Sequence, residues 1–181
     1  MYKAGAKIVL CDVDPHTMNV SSKTIEGLVS KKTKAICLVH LYGAIADPNE
    51  LKEFKLPIIE DASHAFGGVL NDKKVGNLAD IAGFSAGPIK GFGGLGHAGF
   101  ITYNQDEQKE FIEAFIGNGQ TKRHYAKYVG NNYRIDSVNA LFMQKKLDMW
   151  QDFSNQKRKV MDIYDKVFDA EDVSYQKRAD G

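Results

Sequence analysis

A single amine, Lys90, stands five residues after Ser85 inside a glycine-rich bend that runs from Phe84 to Phe100. One apolar run, Ile81–Phe84, leads into the bend and another, Gly99–Tyr103, leads out of it. A lysine held between tightly folded backbone and two strand-like runs cannot wave freely in water, and a desolvated amine loses charge and becomes a nucleophile. That setting points to a Schiff-base lysine. Upstream, Asp61 falls just past the end of another apolar run and His64 follows three residues later, where ligand sites of open α/β sheets gather. Pyridoxal phosphate needs a lysine for its aldehyde, a carboxylate to keep its ring nitrogen protonated, a group beside its phenolic oxygen and donors for its phosphate. Lys90, Asp61, His64 and Ser85 would supply all four. Taken singly, Asp61 reads as a turn former, His64 as a structural hydrogen-bond partner and Ser85 as polar filler. Only the set points to a cofactor.

Two other chemistries compete for the bend. Gly91, Gly93 and Gly96 spell a dinucleotide fingerprint, but that motif works by opening a helix whose N-terminus faces the pyrophosphate. Here a strand-like run follows, so the context is wrong. A Ser85–Lys90 nucleophile pair is the second alternative. Glycine and proline lie between the two residues, which therefore do not sit on adjacent helical turns.

The elements that must position these residues alternate in type. Ile8–Cys11, Ala35–Val39, Pro57–Ile59 and Ile81–Phe84 are nearly continuous apolar runs, as buried strands are. Between them, Ser21 or Ser22 caps a helical turn carrying Ile25, Leu28 and Val29, and Asp47-Pro48 starts another that presents Leu51 and Phe54. This βαβ rhythm predicts an α/β fold. Too few residues separate Ile81–Phe84 from Gly99–Tyr103 for a helical crossover, so the sheet is expected to be mixed, with one antiparallel strand. Asn104 and Glu107 then form a capping-box pattern ahead of Phe111, Ile112, Phe115 and Ile116. Two helical segments are expected from about Ser137, with Trp150, Val160, Ile163, Tyr164 and Val167 on their apolar faces.

With 181 residues, 43% of them hydrophobic, the chain can bury one good core and a second small lobe. Its 24 basic and 23 acidic side chains leave a net charge of +1, which offers no footprint for nucleic acid or an anionic membrane. Lys122, Arg123 and His124 read as a solvated surface. Cys11 and Cys37 both lie in apolar runs, where a thiol packs as a small core residue, and this suits a reducing cytosol. There is no leader pattern, no run long enough to span a bilayer and no call for a metal. A cytoplasmic protein is expected.

The signatures, taken in order, resemble the DegT/DnrJ aminotransferases of fold type I. The likeness runs through Ala4–Ala6, Cys11–Pro15, Thr33–Ile36, Val39–Gly43 and Asp47, then Glu60–Gly67, Lys74–Gly76 with Asp80, the segment from Phe84 through Lys90, and Gly130–Arg134. The resemblance implies a mixed, mostly parallel sheet flanked by helices. Residues 1–120 would be a partial cofactor-binding large domain, and residues 121–181 a connecting loop with helices leading to a small domain. It further implies that Lys90 carries pyridoxal phosphate and shuttles protons. Asp61 would pair with the pyridinium nitrogen, His64 would sit by the phenolic oxygen and Ser85 would bind the phosphate. Asn132 would reach the phosphate of the neighbouring subunit's cofactor, so a homodimer with shared sites is expected. The implied reaction takes an amino group, typically from glutamate, and gives it to a nucleotide-linked keto sugar. Related dehydratases carry histidine in place of the lysine, and Lys90 argues against that chemistry.

Departures from the pattern are as informative. Ala86-Gly87 follow Ser85 where an aromatic residue is usual, and Gly96-His97-Ala98-Gly99 replaces the common acidic glycine run. The chain opens at what should be the middle of the cofactor domain and stops soon after the helices that lead into the small domain. The expectation is therefore a fragment, without the phosphate-binding turn and the ring-stacking aromatic residue of the family. Two functional classes follow: an aminotransferase completed by further segments, or a truncated homologue without catalysis that acts as a binding or regulatory module.

Overall fold

A computed structural model describes residues 2–177; the outermost residues of the two expected segments, Met1 and residues 178–181, lie outside the described residues. In chain order, strands β1 (Ile36–Val39) and β2 (Ile58–Asp61) come first. A small hairpin follows, β3 (Val69–Leu70) with β4 (Lys73–Lys74), and then β5 (Ile81–Ser85) and β6 (Gly99–Tyr103). The main sheet has the order β1-β2-β5-β6. Its first three strands are parallel, and β6 returns antiparallel to β5 with Ser85 opposite Gly99 and Ile81 opposite Tyr103. The sheet is thus mixed and mostly parallel, as the short glycine bend requires.

Register fixes which side chains share a face, because residues paired across neighbouring strands project to the same side. Ile36, Leu38, Ile58, Glu60, Ala82 and Phe84 form the buried face. One apolar cluster there joins Ile36, Leu38 and Ile58 to Ile25, Ala46 and Leu51, and a second joins Ala82 and Phe84 to Ala62, Ala65 and Val75. Cys37, Val39, Ile59, Asp61, Gly83, Ser85 and Ile101 occupy the opposite face. None of them joins a buried cluster, and Val39 and Ile101 are 39% and 43% exposed. The sheet is therefore covered on one side and half-open on the other.

The crossovers that cover the buried side are tighter than long α-helices. Helix α1 (Ser22–Ile25) runs straight into a 3₁₀ turn, and Pro48–Phe54 is entirely 3₁₀. Asp47 caps the latter by accepting the Asn49 N–H at 2.9 Å, proline opens it, and Lys55 ends it in the left-handed region at φ 52°. Helix α2 (Glu107–Ile116) follows the sheet, then the hairpin of β7 (Gln120–Lys122) and β8 (Tyr125–Ala126), then helices α3 (Ser137–Asp148) and α4 (Trp150–Ala170). Among the described residues no helix is long and apolar enough to cross a membrane.

Three local expectations fail. Ile8–Cys11 is not a strand: Ile8, Val9 and Leu10 are 48%, 60% and 85% exposed, and Cys11 is exposed with them. β1 keeps an open edge on the side away from β2, but Ile8–Cys11 does not pair with it, and strand-forming residue types without a ladder do not make a strand. Asn104 does not cap α2, whose N-cap is Asp106; its side chain instead donates to the Ala79 carbonyl at 2.6 Å. The apolar stripe of α4 is present, yet no residue of that helix is buried and Val160, Ile163, Tyr164 and Val167 are all at least half exposed. Only Trp150 turns inward, against Phe66 and Phe92. Lys122, Arg123 and His124 lie exposed on the β7–β8 hairpin, the solvated surface expected of them.

Candidate active site

The parallel strands end at one crest, and the chemistry collects there. Asp61 is the last residue of β2, paired with Gly83 of β5, so Ser85 stands two residues further along the neighbouring strand on the same face. With strands about 4.8 Å apart and a rise of about 3.3 Å per residue, their Cα atoms are roughly 8 Å from each other. Asp61 accepts from Ser63 twice, at 3.1 Å from the backbone N–H and 2.5 Å from the hydroxyl, both through Oδ1. Its other carboxylate oxygen is left for a partner.

His64 lies exposed in the loop after β2. Its Nδ1 accepts the Tyr42 N–H at 3.3 Å, and the two rings stack at 6.0 Å. With Nδ1 an acceptor, the proton of the neutral ring sits on Nε2 and is available to an oxygen. Tyr42 is held at φ 56° to do this, a conformation uncommon for an aromatic residue. It is a contributor that the sequence reading missed, although its place just before a glycine after a strand is the local signal of a turn.

Lys90 closes a turn after β5, its N–H donating to the Gly87 carbonyl at 2.9 Å with Pro88 at the second position. Lys90 is half-buried, and no hydrogen bond or ion pair engages its amine among the described residues. The bend then doubles back under its own turn: a Cβ on Gly93 would run into the carbonyl oxygens of Gly87, Pro88 and Lys90. That crowding accounts for the glycine at position 93. Phe92 anchors it from below, stacked on Phe66 with ring centroids 4.1 Å apart.

Glu60 lies directly behind Asp61, on the buried face and fully enclosed. Its Oε2 accepts from His40 Nε2 at 3.1 Å and the Gly76 N–H at 2.9 Å, and its Oε1 from the N–H groups of Leu78 and Ala79 at 3.0 and 2.9 Å. His40 Nδ1 accepts the Ala46 N–H at 3.1 Å, so the shared proton is on Nε2 and is donated to Glu60. Burial alone would raise the Glu60 pKa, but the bonds from His40, Gly76 and Ala79 outweigh it and hold the carboxyl below the ordinary range. On the half-open face, burial and the Asp61 charge together push the Cys37 thiol up.

Asp61, His64, Ser85 and Lys90 therefore share one crest. Asn132 does not join them. It lies exposed beyond the β7–β8 hairpin, its backbone bridged to Gly117, and no hydrogen bond ties its side chain to the other four.

The sequence profile described as the DegT/DnrJ/EryC1/StrS aminotransferase family matches residues 1–180. A pleiotropic regulatory protein of Geobacillus stearothermophilus is 36% identical over 92% of this chain and 46% of its own length. UDP-2-acetamido-2-deoxy-3-oxo-D-glucuronate aminotransferase of Pseudomonas aeruginosa is 34% identical over 89% of this chain and 46% of its own. The chain thus spans about half the length of the curated relatives it matches. The crystal structure of a DegT DnrJ EryC1 StrS aminotransferase from Brucella abortus superposes with a TM-score of 0.88 at 24% identity, over 93% of this chain and 48% of that one. The fold of the chain is that of the Brucella abortus aminotransferase structure, and the chain belongs to the DegT/DnrJ/EryC1/StrS aminotransferase family.

Proposed function

We propose that this chain carries the lysine-bearing half of an aminotransferase site that moves an amino group, with glutamate as donor, onto a nucleotide-linked keto sugar. The observation that carries the reading is the gathering of Lys90, Asp61, His64 and Ser85 at one strand crest on the half-open face of the sheet. The donor set fits pyridoxal phosphate. Asp61 has a free carboxylate oxygen beside its Ser63-bound one for the ring N–H. His64 offers Nε2–H to a phenolic oxygen, and the unengaged Ser85 hydroxyl suits a phosphate. Lys90 would hold the aldehyde carbon through its nitrogen. When bound, the cofactor supplies a conjugated ring that accepts the electron pair left behind when a proton is taken from the substrate carbon.

The residues do the rest. Asp61, oriented by Ser63, would keep the ring nitrogen protonated by placing a negative charge next to it. Lys90, as a free amine, would move a proton between the substrate carbon and the cofactor, from the turn that its backbone N–H closes on the Gly87 carbonyl. Asn132 would serve the phosphate of a second subunit, a role that its separation from the crest within one chain suits. A cytoplasmic homodimer is proposed accordingly. So is the division into a partial large domain, residues 1–120, and a connecting and helical segment, residues 121–181. The names of the relatives, a nucleotide-sugar aminotransferase among them, support the substrate class.

A second reading, a non-catalytic binding or regulatory module, is favoured by one observation: the site face is only half covered. By itself the 181-residue chain is expected to bind the cofactor weakly and turn over slowly or not at all. The test is incubation with excess pyridoxal phosphate, borohydride reduction and peptide mapping. Cofactor fixed at Lys90 and absent from Lys90→Ala supports the site; adducts spread evenly over surface lysines sink it. Conversion of bound cofactor to its amine form on adding glutamate separates the enzyme from the silent module.

A further inference from the structure

We propose that Asn139 and Lys146, both on α3, are positioning residues for Lys90 that grip the glycine bend by its backbone; the functional half of this inference rests on the site proposed above. Seven residues separate them, which is two helical turns, so both project to the same side of α3. Asn139 is 3% exposed, and its Oδ1 accepts the Leu95 N–H at 2.9 Å. Lys146 reaches the same bend, donating from Nζ to the Gly93 carbonyl at 2.9 Å. The start of the helix is itself fixed, since Asp136 accepts the Asn139 N–H at 2.8 Å.

The grip reaches the lysine because of how the bend is folded. Gly93 lies against the carbonyl oxygens of Gly87, Pro88 and Lys90, so the turn that presents Lys90 rests on the residue that Lys146 holds. Gly94 lies against the Asn139 amide, where any Cβ would collide with Oδ1, and its N–H returns to the Ala86 carbonyl at 2.9 Å. Asn139 keeps this place at a cost: its Nδ2 is buried with no hydrogen-bond partner among the described residues, a desolvated donor left uncompensated. The Lys146 amine likewise sits where burial and the Lys157 charge hold its pKa below the ordinary lysine value. An apolar pair would fill the same space without either penalty, but would leave Leu95 N–H and Gly93 C=O unbonded and the bend free to shift.

The test compares Asn139→Leu, Lys146→Met and Lys146→Arg with the wild-type chain by hydrogen exchange of the bend and by the rate of capture at Lys90. In capture, the Lys90 nitrogen bonds to the aldehyde carbon of pyridoxal phosphate, the aldehyde oxygen leaves as water, and borohydride reduces the C=N bond so that the peptide can be mapped. At saturating cofactor, loss of either grip should slow capture about tenfold, because a misplaced nucleophile forfeits effective concentration. Half-saturation should stay within about twofold, since neither residue belongs to the proposed cofactor-binding set. Exchange of the Gly94 and Leu95 amides should accelerate, and Lys146→Arg should restore both readouts. Unchanged exchange, or faster exchange with an unchanged capture rate, overturns the proposal. If the wild-type chain captures nothing at Lys90, the functional reading fails separately. The positioning is then decided by the rate at which an amine-reactive ester acylates Lys90, which must differ between wild type and both disruptive variants. Should Asn139→Leu not fold, Lys146→Met with its arginine rescue carries the same test.

Discussion

Glu60 and Asp61 are neighbours in sequence and opposites in circumstance. Glu60 faces the covered side of the sheet, is fully buried, and has four hydrogen-bond donors directed at its two oxygens. Asp61 faces the half-open side and is held through one oxygen by a single residue, Ser63. The first carboxylate is saturated and ties β1, β2 and the 76–79 turn together. The second is oriented but not consumed. A carboxylate whose bonding capacity is spent inside the protein stabilises it, whereas one with an oxygen to spare is available to a ligand, and a one-residue step along a strand separates the two.

The largest effect should come from breaking the saturated side. Glu60→Gln replaces an acceptor of four bonds with a group that must present N–H to other N–H donors. It should cost about 3 kcal/mol, read as a lowered urea midpoint. A loss of a few tenths would mean that the four bonds do not matter. Acid should act on the same group. The folded-state pKa of Glu60 lies below its unfolded value, so its contribution is fully present above the ordinary carboxylate range and is lost as pH falls through the depressed folded value. The stability gap between wild type and Glu60→Gln should therefore close on acidification. A gap that widens would reverse the sign argued here.

Asp61→Asn should leave stability within about 0.5 kcal/mol, because Oδ1 can still accept from Ser63. Its effects should appear instead in weakened cofactor capture and in a small rise in Cys37 alkylation rate, since burial still restrains the thiol but the Asp61 charge no longer does. Wild-type Cys37 should alkylate more slowly than the exposed Cys11. If Asp61→Asn destabilised the chain as strongly as Glu60→Gln, the contrast between the two faces would collapse.

Much of this architecture was legible in the chain. The runs at 36–39, 58–61, 81–85 and 99–103 are strands, and the brevity of the glycine bend predicted the antiparallel return. Those features are local: β-branched composition and connection length limit what the backbone can do. The placement of the proposed set could be read for the same reason, since Asp61 and Ser85 end β2 and β5 and His64 and Lys90 lie in the loops that follow. Ile8–Cys11 carried the same compositional signal and failed, because a strand needs a paired neighbour and composition does not choose one; the outer edge of β1 stays unpaired. Asn139 and Lys146 gave no signal of their contacts, and Tyr42 signalled a turn but not its bond to His64. Their partners Leu95, Gly93 and His64 lie 44, 53 and 22 residues away.

By itself, then, the sequence determined most of the segments that extend and which way β6 must run, and it put forward the four side chains of the proposed cofactor site. Those properties follow from residue type and short spacing. Only the tertiary structure decided that Glu60 is buried structure while Asp61 is free, that the site face is half-open, and that a helix far along the chain grips the backbone beneath Lys90. Each depends on which strand pairs with which and which face is covered, and long-range packing decides that.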